Sequence, residues 1–282
     1  MNLAIYFRQM EQERFTRLRA LEQRLQSGGA TLYEYGKDFT SWDNLPSDTD
    51  VFVSIGGDGT CLESLTFVRD RQIPVVGINF GRLGFLTAAS VGDESMEWVD
   101  DLLAGRFSVE RRDLLKLEMD SVPADVYPYA FNEISVQRRG ASMLSIDVKV
   151  DGLALPTYWA DGLVVATPTG STAYNLSVGG PIVSPSSKVL ILSPIASHNL
   201  NVRPLVFPAE TQFEMVFRTR SEDAVITLDN RSFQVASGVS FRVRKAEYGF
   251  NYVSFSGNSF IDALRTKLLW GEDRRNSEPV LK

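Results

Sequence analysis

Two stretches of this chain gather residue types that handle phosphate and sugar chemistry. The first is Gly56-Gly57-Asp58-Gly59-Thr60, one carboxylate among glycines. It follows the β-branched apolar run Val51 to Ile55 and precedes a helical pattern of Leu62, Leu65 and Val68. Open α/β sheets bind ligands beyond the carboxyl end of a strand, which is where this loop falls. Glycines let a backbone take positive φ and approach a ligand closely, so that N–H groups converge on phosphate oxygens at a helix N-terminus. The same residues also suit an ordinary tight turn, with Asp58 bonded to its own backbone. The pattern is neither a Walker loop nor a GxGxxG fingerprint.

The second stretch runs from Asp161-Gly162-Leu163-Val164-Val165-Ala166 through Thr167-Pro168-Thr169-Gly170-Ser171-Thr172 to Ala173-Tyr174-Asn175-Leu176-Ser177, with Gly179-Gly180-Pro181 beyond. A strand enters a loop dense in hydroxyls and free backbone groups, suited to a polar ligand, and Tyr174 offers an aromatic face to a base. By composition alone it also reads as a Ser/Thr/Gly connection between two strands.

The elements around these stretches divide the chain. Leu3 to Phe7, Val51 to Ile55 and Val75 to Ile78 read as buried strands, and Phe15, Leu18, Leu21 and Leu25 recur at helical spacing before Gly28-Gly29. This βαβ punctuation predicts a mostly parallel sheet covered by helices. A further helix carries Met96, Val99, Leu102 and Leu103, with Gly105 at its end. From there the period shortens: Ile146, Val148 and Val150 alternate with polar residues, as do Phe213 to Phe217, Ala224 to Leu228, Val239 to Val243 and Tyr248 to Phe255. Phe260, Ile261, Leu264 and Leu268 give a last amphipathic helix, ended by Gly271, that must dock on something. Residues 272–282 read as a solvated tail. The expected plan is α/β plus all-β: an α/β phosphate- and nucleotide-binding domain of residues 1–107 rejoined by 258–282, and a mainly antiparallel β domain of 108–257.

Composition bounds the function. With 44% hydrophobic and 23% charged residues, the 282-residue chain has the make-up of a globular protein. A net charge of −6 lacks the basic footprint of a phosphate-backbone binder, so nucleic acid is not an expected partner. Cys61 is the sole cysteine and His198 the sole histidine, which excludes a Cys/His zinc site. Arg8 interrupts the first apolar run too soon for a signal peptide or membrane span, so a cytoplasmic protein is expected.

GGDGT loops occur in NAD kinases, in lipid kinases of the diacylglycerol type and, as close variants, in phosphofructokinases. The second stretch separates them, because Asp161 to Pro181 resembles the NAD kinase signature. Asn79-Phe80-Gly81-Arg82-Leu83-Gly84-Phe85-Leu86 is similar to that family's second glycine loop, Asn132-Glu133 to its Asn-Glu pair, and Pro194-Ile195 through His198 to Arg203-Pro204 to a later stretch. The resemblance implies a Rossmann-like N-terminal domain, a β-sandwich-like second domain, NAD in the cleft between them, and homo-oligomers, dimers or tetramers. It implies transfer of a phosphoryl group from ATP or another donor to the 2′-hydroxyl of the adenosine ribose of NAD.

By the same resemblance Asp58 is the catalytic acceptor of the ribose hydroxyl proton. A carboxylate is a weak base toward an alcohol, so a late proton transfer with Asp58 mainly orienting the hydroxyl fits the chemistry better. Gly56, Gly57, Gly59 and Thr60 form the phosphate loop. Asp58, Gly59, Asn132, Glu133, Asp161, Thr169, Thr172, Ala173, Tyr174, Asn175, Leu176, Ser177 and Ala196 carry over as NAD-binding. Arg82 is included as a phosphate contact, with a solvated loop arginine as its alternative. His198 is read as structural. Phe85 is left undecided, as are Asp229 and Arg231, which stand in Asp229-Asn230-Arg231 where many relatives show Asp-Gly-Gln.

No carboxylate cluster marks a metal cage. The chemistry of ATP implies a divalent ion, Mg2+ foremost, held mainly by the donor phosphates and water. Two rival readings are a lipid kinase sharing the glycine loop and a non-catalytic NAD(P)-binding sensor.

Overall fold

Two runs of five buried residues, Val51–Ile55 and Val75–Asn79, make strands covered on both faces, as parallel sheets are. In the computed structural model, which describes residues 1–8, 11–35, 44–81, 84–92, 96–221, 223–257 and 259–269, they lie in a parallel array. Arg82, the expected Gly271 stop and the 272–282 tail fall outside the described residues. The array is built from β1 (Asn2–Phe7), α1 (Gln12–Ser27), β2 (Thr31–Tyr35), β3 (Val51–Ile55), α2 (Asp58–Val68) and β4 (Val75–Asn79), in strand order β2-β1-β3-β4. The order reverses at β1, which opens a crevice at the carboxyl ends of β1 and β3. The glycine loop leaves β3 at that crevice. β5 (Ala89–Ser90) extends the array, and α3 (Glu97–Leu103) buries Trp98, Val99 and Leu102 before Gly105 turns the chain at φ +70°.

The remaining elements are β6 (Ser108–Glu118), β7 (Tyr129–Ala130), β8 (Glu133–Arg138), β9 (Leu144–Val150), β10 (Leu153–Ala154), β11 (Tyr158–Ala160), β12 (Gly162–Ala166), α4 (Tyr174–Ser177), β13 (Val189–Ile195), β14 (Leu205–Pro208), β15 (Phe213–Thr219), β16 (Asp223–Leu228), β17 (Arg231–Ala236), β18 (Ser240–Ser254) and α5 (Phe260–Leu268). An antiparallel sheet in the order β14-β13-β12-β8-β16-β17 faces β9 and β15. One apolar core lies between them, with Phe213 and Phe217 from one side meeting Val136, Val165 and Ile226 from the other, the packing of a sandwich.

The alternating pattern of 239–255 suggests two strands, but the structure forms one, β18, with a register break between Lys245 and Gly249. Its first part pairs with β15, its length pairs with β6, and Tyr252 lies parallel to Val75 of β4. The irregularity lets a 15-residue strand bend from the antiparallel half into the parallel half. Glycine is required where pairing resumes, since a Cβ on Gly249 would lie 2.7 Å from the Arg112 carbonyl oxygen.

The last helix also departs from its sequence reading. α5 buries no residue fully, and Ile261, expected on its docking face, is 62% exposed. The half-buried stripe is Phe260, Ala263, Leu264, Lys267 and Leu268, which rests against the segment after β4. Among the described residues no helix is long and apolar enough to cross a membrane.

Candidate active site

The GGDGT residues build the start of α2. Gly57 is its N-cap with φ −85° and ψ −173°, and Asp58, Gly59 and Thr60 form its first turn, so the positive-φ loop expected of the glycines is absent at Gly57. Glycine is needed at 56 because a Cβ there would run into the Thr60 side chain, which the first turn folds back over it. Gly57 and Gly59 are different. Both are exposed, and a Cβ on either would meet nothing within 4 Å. The protein leaves that space open beside the Asp58 and Gly59 N–H groups, which helix geometry leaves without intrahelical partners, whereas the Thr60 N–H already donates to the Gly57 carbonyl at 3.0 Å.

The Asp58 carboxylate reaches the loop after β4. Its Oδ2 accepts the Phe85 N–H at 2.8 Å and its Oδ1 the Leu86 N–H at 3.0 Å. Gly84 lies against the same carboxylate, and a Cβ there would collide with Oδ1. The Thr87 hydroxyl accepts the Gly84 N–H at 2.6 Å and the Asn79 amide at 3.0 Å, which fixes this loop to the end of β4. Each Asp58 oxygen thus accepts one backbone bond, and a carboxylate retains further acceptor sites.

A cavity of about 400 Å³ opens on the other side of Phe85 and Leu86. Thr169 and Thr172, read from the sequence as ligand-binding, are on its wall together with the undecided Phe85, and Phe131, Tyr252 and Phe260 add aromatic surface. The sequence reading missed Arg112 and Lys267 on this wall. Arg112 sits in a strand whose partner only the tertiary fold supplies. Lys267 was legible only as one position on the inner stripe of α5.

A second group forms around Glu133. Asp229, at φ +53° and completely buried, accepts N–H bonds from Phe131 at 2.8 Å, Asn132 at 2.7 Å and Glu133 at 3.2 Å. Arg231 donates to the Tyr127 carbonyl at 2.7 Å and the Tyr129 carbonyl at 2.5 Å, and lies 3.6 Å from Asp229. Asp229 and Arg231, two of the three undecided residues, therefore turn inward and hold the strand carrying Asn132 and Glu133. Burial pushes the Asp229 carboxyl up, against the pull of Arg231 and the three N–H groups. Burial also pushes Glu133 up, to about 8, with the charge of Asp229 adding to it and the Tyr174 N–H opposing it. Among the described residues Glu133 Oε2 has no hydrogen-bond partner, as suits a carboxyl kept neutral near pH 7.

The signature stretch is stitched to this group. The Thr167 N–H and hydroxyl donate to the carbonyls of Asn132 at 2.9 Å and Phe131 at 2.7 Å, and Gly170 packs on the Asn132 carbonyl with no room for a Cβ. Tyr174 is half-buried beside Glu133 and Asp161, and burial and those charges raise its phenol. Asp161 is ion-paired with Arg138 at 2.7 Å. Ala173 and Leu176 are half-buried and Ser177 exposed, away from the cavity wall. Ala196 is exposed, with a left-handed φ of 45° that a non-glycine residue rarely adopts.

Asn175 departs from the ligand role. It has no exposed surface; its amide donates to the Ser171 and Pro181 carbonyls, both at 3.1 Å, and accepts from Ser193 at 2.7 Å. It braces the hydroxyl-rich loop from inside. His198 is exposed, with its backbone N–H donating to the Trp159 carbonyl at 2.7 Å.

A carboxylate held at an open helix start, beside a cavity lined by hydroxyls and aromatic surface, suits the class of nucleotide-handling phosphotransferases. The comparisons narrow the class. The model of the ATP-NAD kinase N-terminal domain matches residues 7–107 and that of the C-terminal domain residues 131–255. An NAD kinase of Christiangramia forsetii is 42% identical over 244 residues, covering 85% of this chain and 82% of the relative. A solved NAD kinase from Archaeoglobus fulgidus in complex with ATP superposes with a TM-score of 0.72 at 29% identity, covering 91% of this chain and 94% of its own. Yeast NADH kinase complexed with NADH shares the fold, with a TM-score of 0.84 at 23% identity over 99% of this chain and 90% of its own. This chain belongs to the NAD kinase family.

Proposed function

We infer that this chain is an NAD kinase, which phosphorylates the 2′-hydroxyl of the adenosine ribose of NAD to give NADP. The observation that carries the reading is the placement of Asp58: first turn of α2, clamped by two backbone N–H groups to the wall of a nucleotide-sized cavity, with open space at Gly57 and Gly59. The ribose oxygen attacks the terminal phosphorus of the donor while the bond from that phosphorus to the bridging oxygen breaks. The bridging electrons leave with the diphosphate, and the hydroxyl proton passes late to Asp58.

The clamp holds the carboxylate in one orientation, which supports its role in aligning the hydroxyl. Phe85, Thr169 and Thr172 line the space assigned to the ligand, whereas Asn132, Glu133, Asp161 and Tyr174 lie outside that lining, and their proposed NAD contacts rest on the family resemblance. Division of the chain at 107 and 257, with NAD between the parts, belongs to this reading. ATP is the proposed donor, and a cytoplasmic homo-oligomer the proposed form. Among the described residues no three Asp, Glu, His or Cys side chains gather to hold a cation, so a divalent ion would be carried by donor phosphates and water, and no step here depends on it.

The test is a coupled assay of the purified protein with NAD, ATP and Mg2+, reading NADP through an NADP-specific dehydrogenase, beside Asp58→Asn. NADP formation suppressed by the substitution while NAD still binds is the expected result. A wild type that binds NAD and makes no NADP with any phosphate donor overturns the reading in favour of a sensor.

A further inference from the structure

α5 begins sharply because Ser259 caps it, its hydroxyl accepting the Asp262 N–H at 3.0 Å. Starting there, helical spacing brings Phe260, Ala263 and Lys267 onto the cavity wall. The Lys267 ammonium donates to the Gly84 carbonyl and stands 4.8 Å from the centroid of the Phe85 ring. Gly84 is the residue against which the Asp58 carboxylate packs, and Phe85 is one of its N–H donors. Ammonium and carboxylate thus flank a single short segment, and the Asp58 charge is felt at Lys267.

The two cations of the wall differ in what balances them. Arg112 has Glu110 at 2.6 Å and the Tyr252 ring at 5.4 Å. Among the described residues Lys267 has no carboxylate in ion-pair range, although the ammonium is half-buried and burial pulls its affinity for a proton down. A carbonyl uses one of its three N–H donors. A partly desolvated cation held by neutral groups at a cavity beside a carboxylate is suited to an anion that arrives with substrate.

We propose that Lys267 is a further catalytic residue of the reaction, contacting the phosphate oxygens of the substrate in the cavity beneath α5. This rests on the reading of that cavity as a nucleotide site. As the terminal phosphorus passes from the bridging oxygen to the ribose oxygen, with the ribose proton going to Asp58, negative charge builds on the bridging oxygen and on the oxygens in transfer. Lys267 neutralises part of that charge from the side opposite Asp58.

The test compares wild type with Lys267→Met, Lys267→Arg and Arg265→Met. Arg265 is a 73% exposed cation of the same helix outside the cavity wall. Calorimetry measures affinity for inorganic tripolyphosphate, ATP, NAD and adenosine, and steady-state rates give kcat and KM for each substrate. Lys267→Met should bind phosphate-bearing ligands about 10-fold to 100-fold more weakly, the range of a charge-assisted hydrogen bond, with adenosine unchanged. Lys267→Arg should recover part of the loss, kcat should fall in Lys267→Met, and Arg265→Met should match wild type. Weakening of ATP and tripolyphosphate assigns the contact to the donor, and weakening of NAD alone assigns it to the acceptor's pyrophosphate. Unchanged phosphate affinity, or an equal loss for adenosine through loosening of α5, overturns the proposal. A wild type without NADP formation defeats the functional reading alone, since the binding measurements still decide Lys267.

Discussion

Asp58 and Asp229 both staple a neighbouring segment through backbone N–H groups, in opposite settings. Asp229 is sealed in the β sandwich, takes three N–H bonds and has Arg231 at 3.6 Å. Asp58 takes two N–H bonds from Phe85 and Leu86, which line a cavity, is half-exposed, and has open space at the glycines on either side. The same carboxylate chemistry serves as scaffold where every acceptor site is enclosed, and as a candidate reacting group where some remain open. Residue type does not tell the two apart; enclosure does.

The strongest way to break this comparison is Asp58→Asn. NADP formation should fall by about 10²–10⁴-fold, the range for losing a positioned acid–base group, while unfolding free energy drops by only about 1–3 kcal/mol as an amide N–H faces a backbone donor. Activity that survives would make Asp58 a staple like Asp229. The converse substitution, Asp229→Asn, should cost about 3–5 kcal/mol in urea unfolding, because Arg231 is left buried without its counter-charge. The activity of the molecules that remain folded should change far less.

Gly84→Ala tests the clamp without touching the carboxylate. The added Cβ displaces Asp58 Oδ1, and a shift of that kind should lower kcat about 100-fold with substrate affinity nearly kept. An effect on stability alone is expected at Glu133, whose environment Asp229 helps to set. The unfolded chain releases this proton near 4.5 and the folded chain holds it to about 8, so its contribution to stability is full below 4.5 and declines as pH rises through that window. Glu133→Gln carries no such proton. Its stability relative to wild type should climb between pH 5 and 8, by about 3 kcal/mol in thermal or urea unfolding. A constant gap would remove the buried carboxyl from the account.

Much of the plan is written in short-range pattern. Five-residue apolar runs and a 3.6-residue stripe specify β1, β3, β4 and α1, because burial on both faces or on one stripe depends only on local spacing. The glycine loop and the signature stretch could be picked out because they combine residue types that a core has no use for, whereas Phe85, a residue type that cores use freely, stayed undecided. The continuity of β18 could not be, since a register break shows only against a partner strand 130 or so residues away in sequence. The backbone of the glycine loop was misjudged for a related reason. Gly56 has a positive φ of 159° and also answers to the Thr60 side chain, while glycine at 57 and 59 answers to empty space rather than to positive φ.

What the sequence by itself determined is the family, the alternation of layers and the identity of Asp58 as the residue to watch, because periodicity and motif order are properties of the chain alone. The tertiary structure decided what each polar group faces. It enclosed Asn175 and Asp229, turned Arg231 onto two carbonyls, pushed the Glu133 carboxyl up by burial, and carried Lys267 from the far end of the chain to the segment that clamps Asp58. Burial and charge are set by neighbours distant in sequence, and no local pattern encodes those distances.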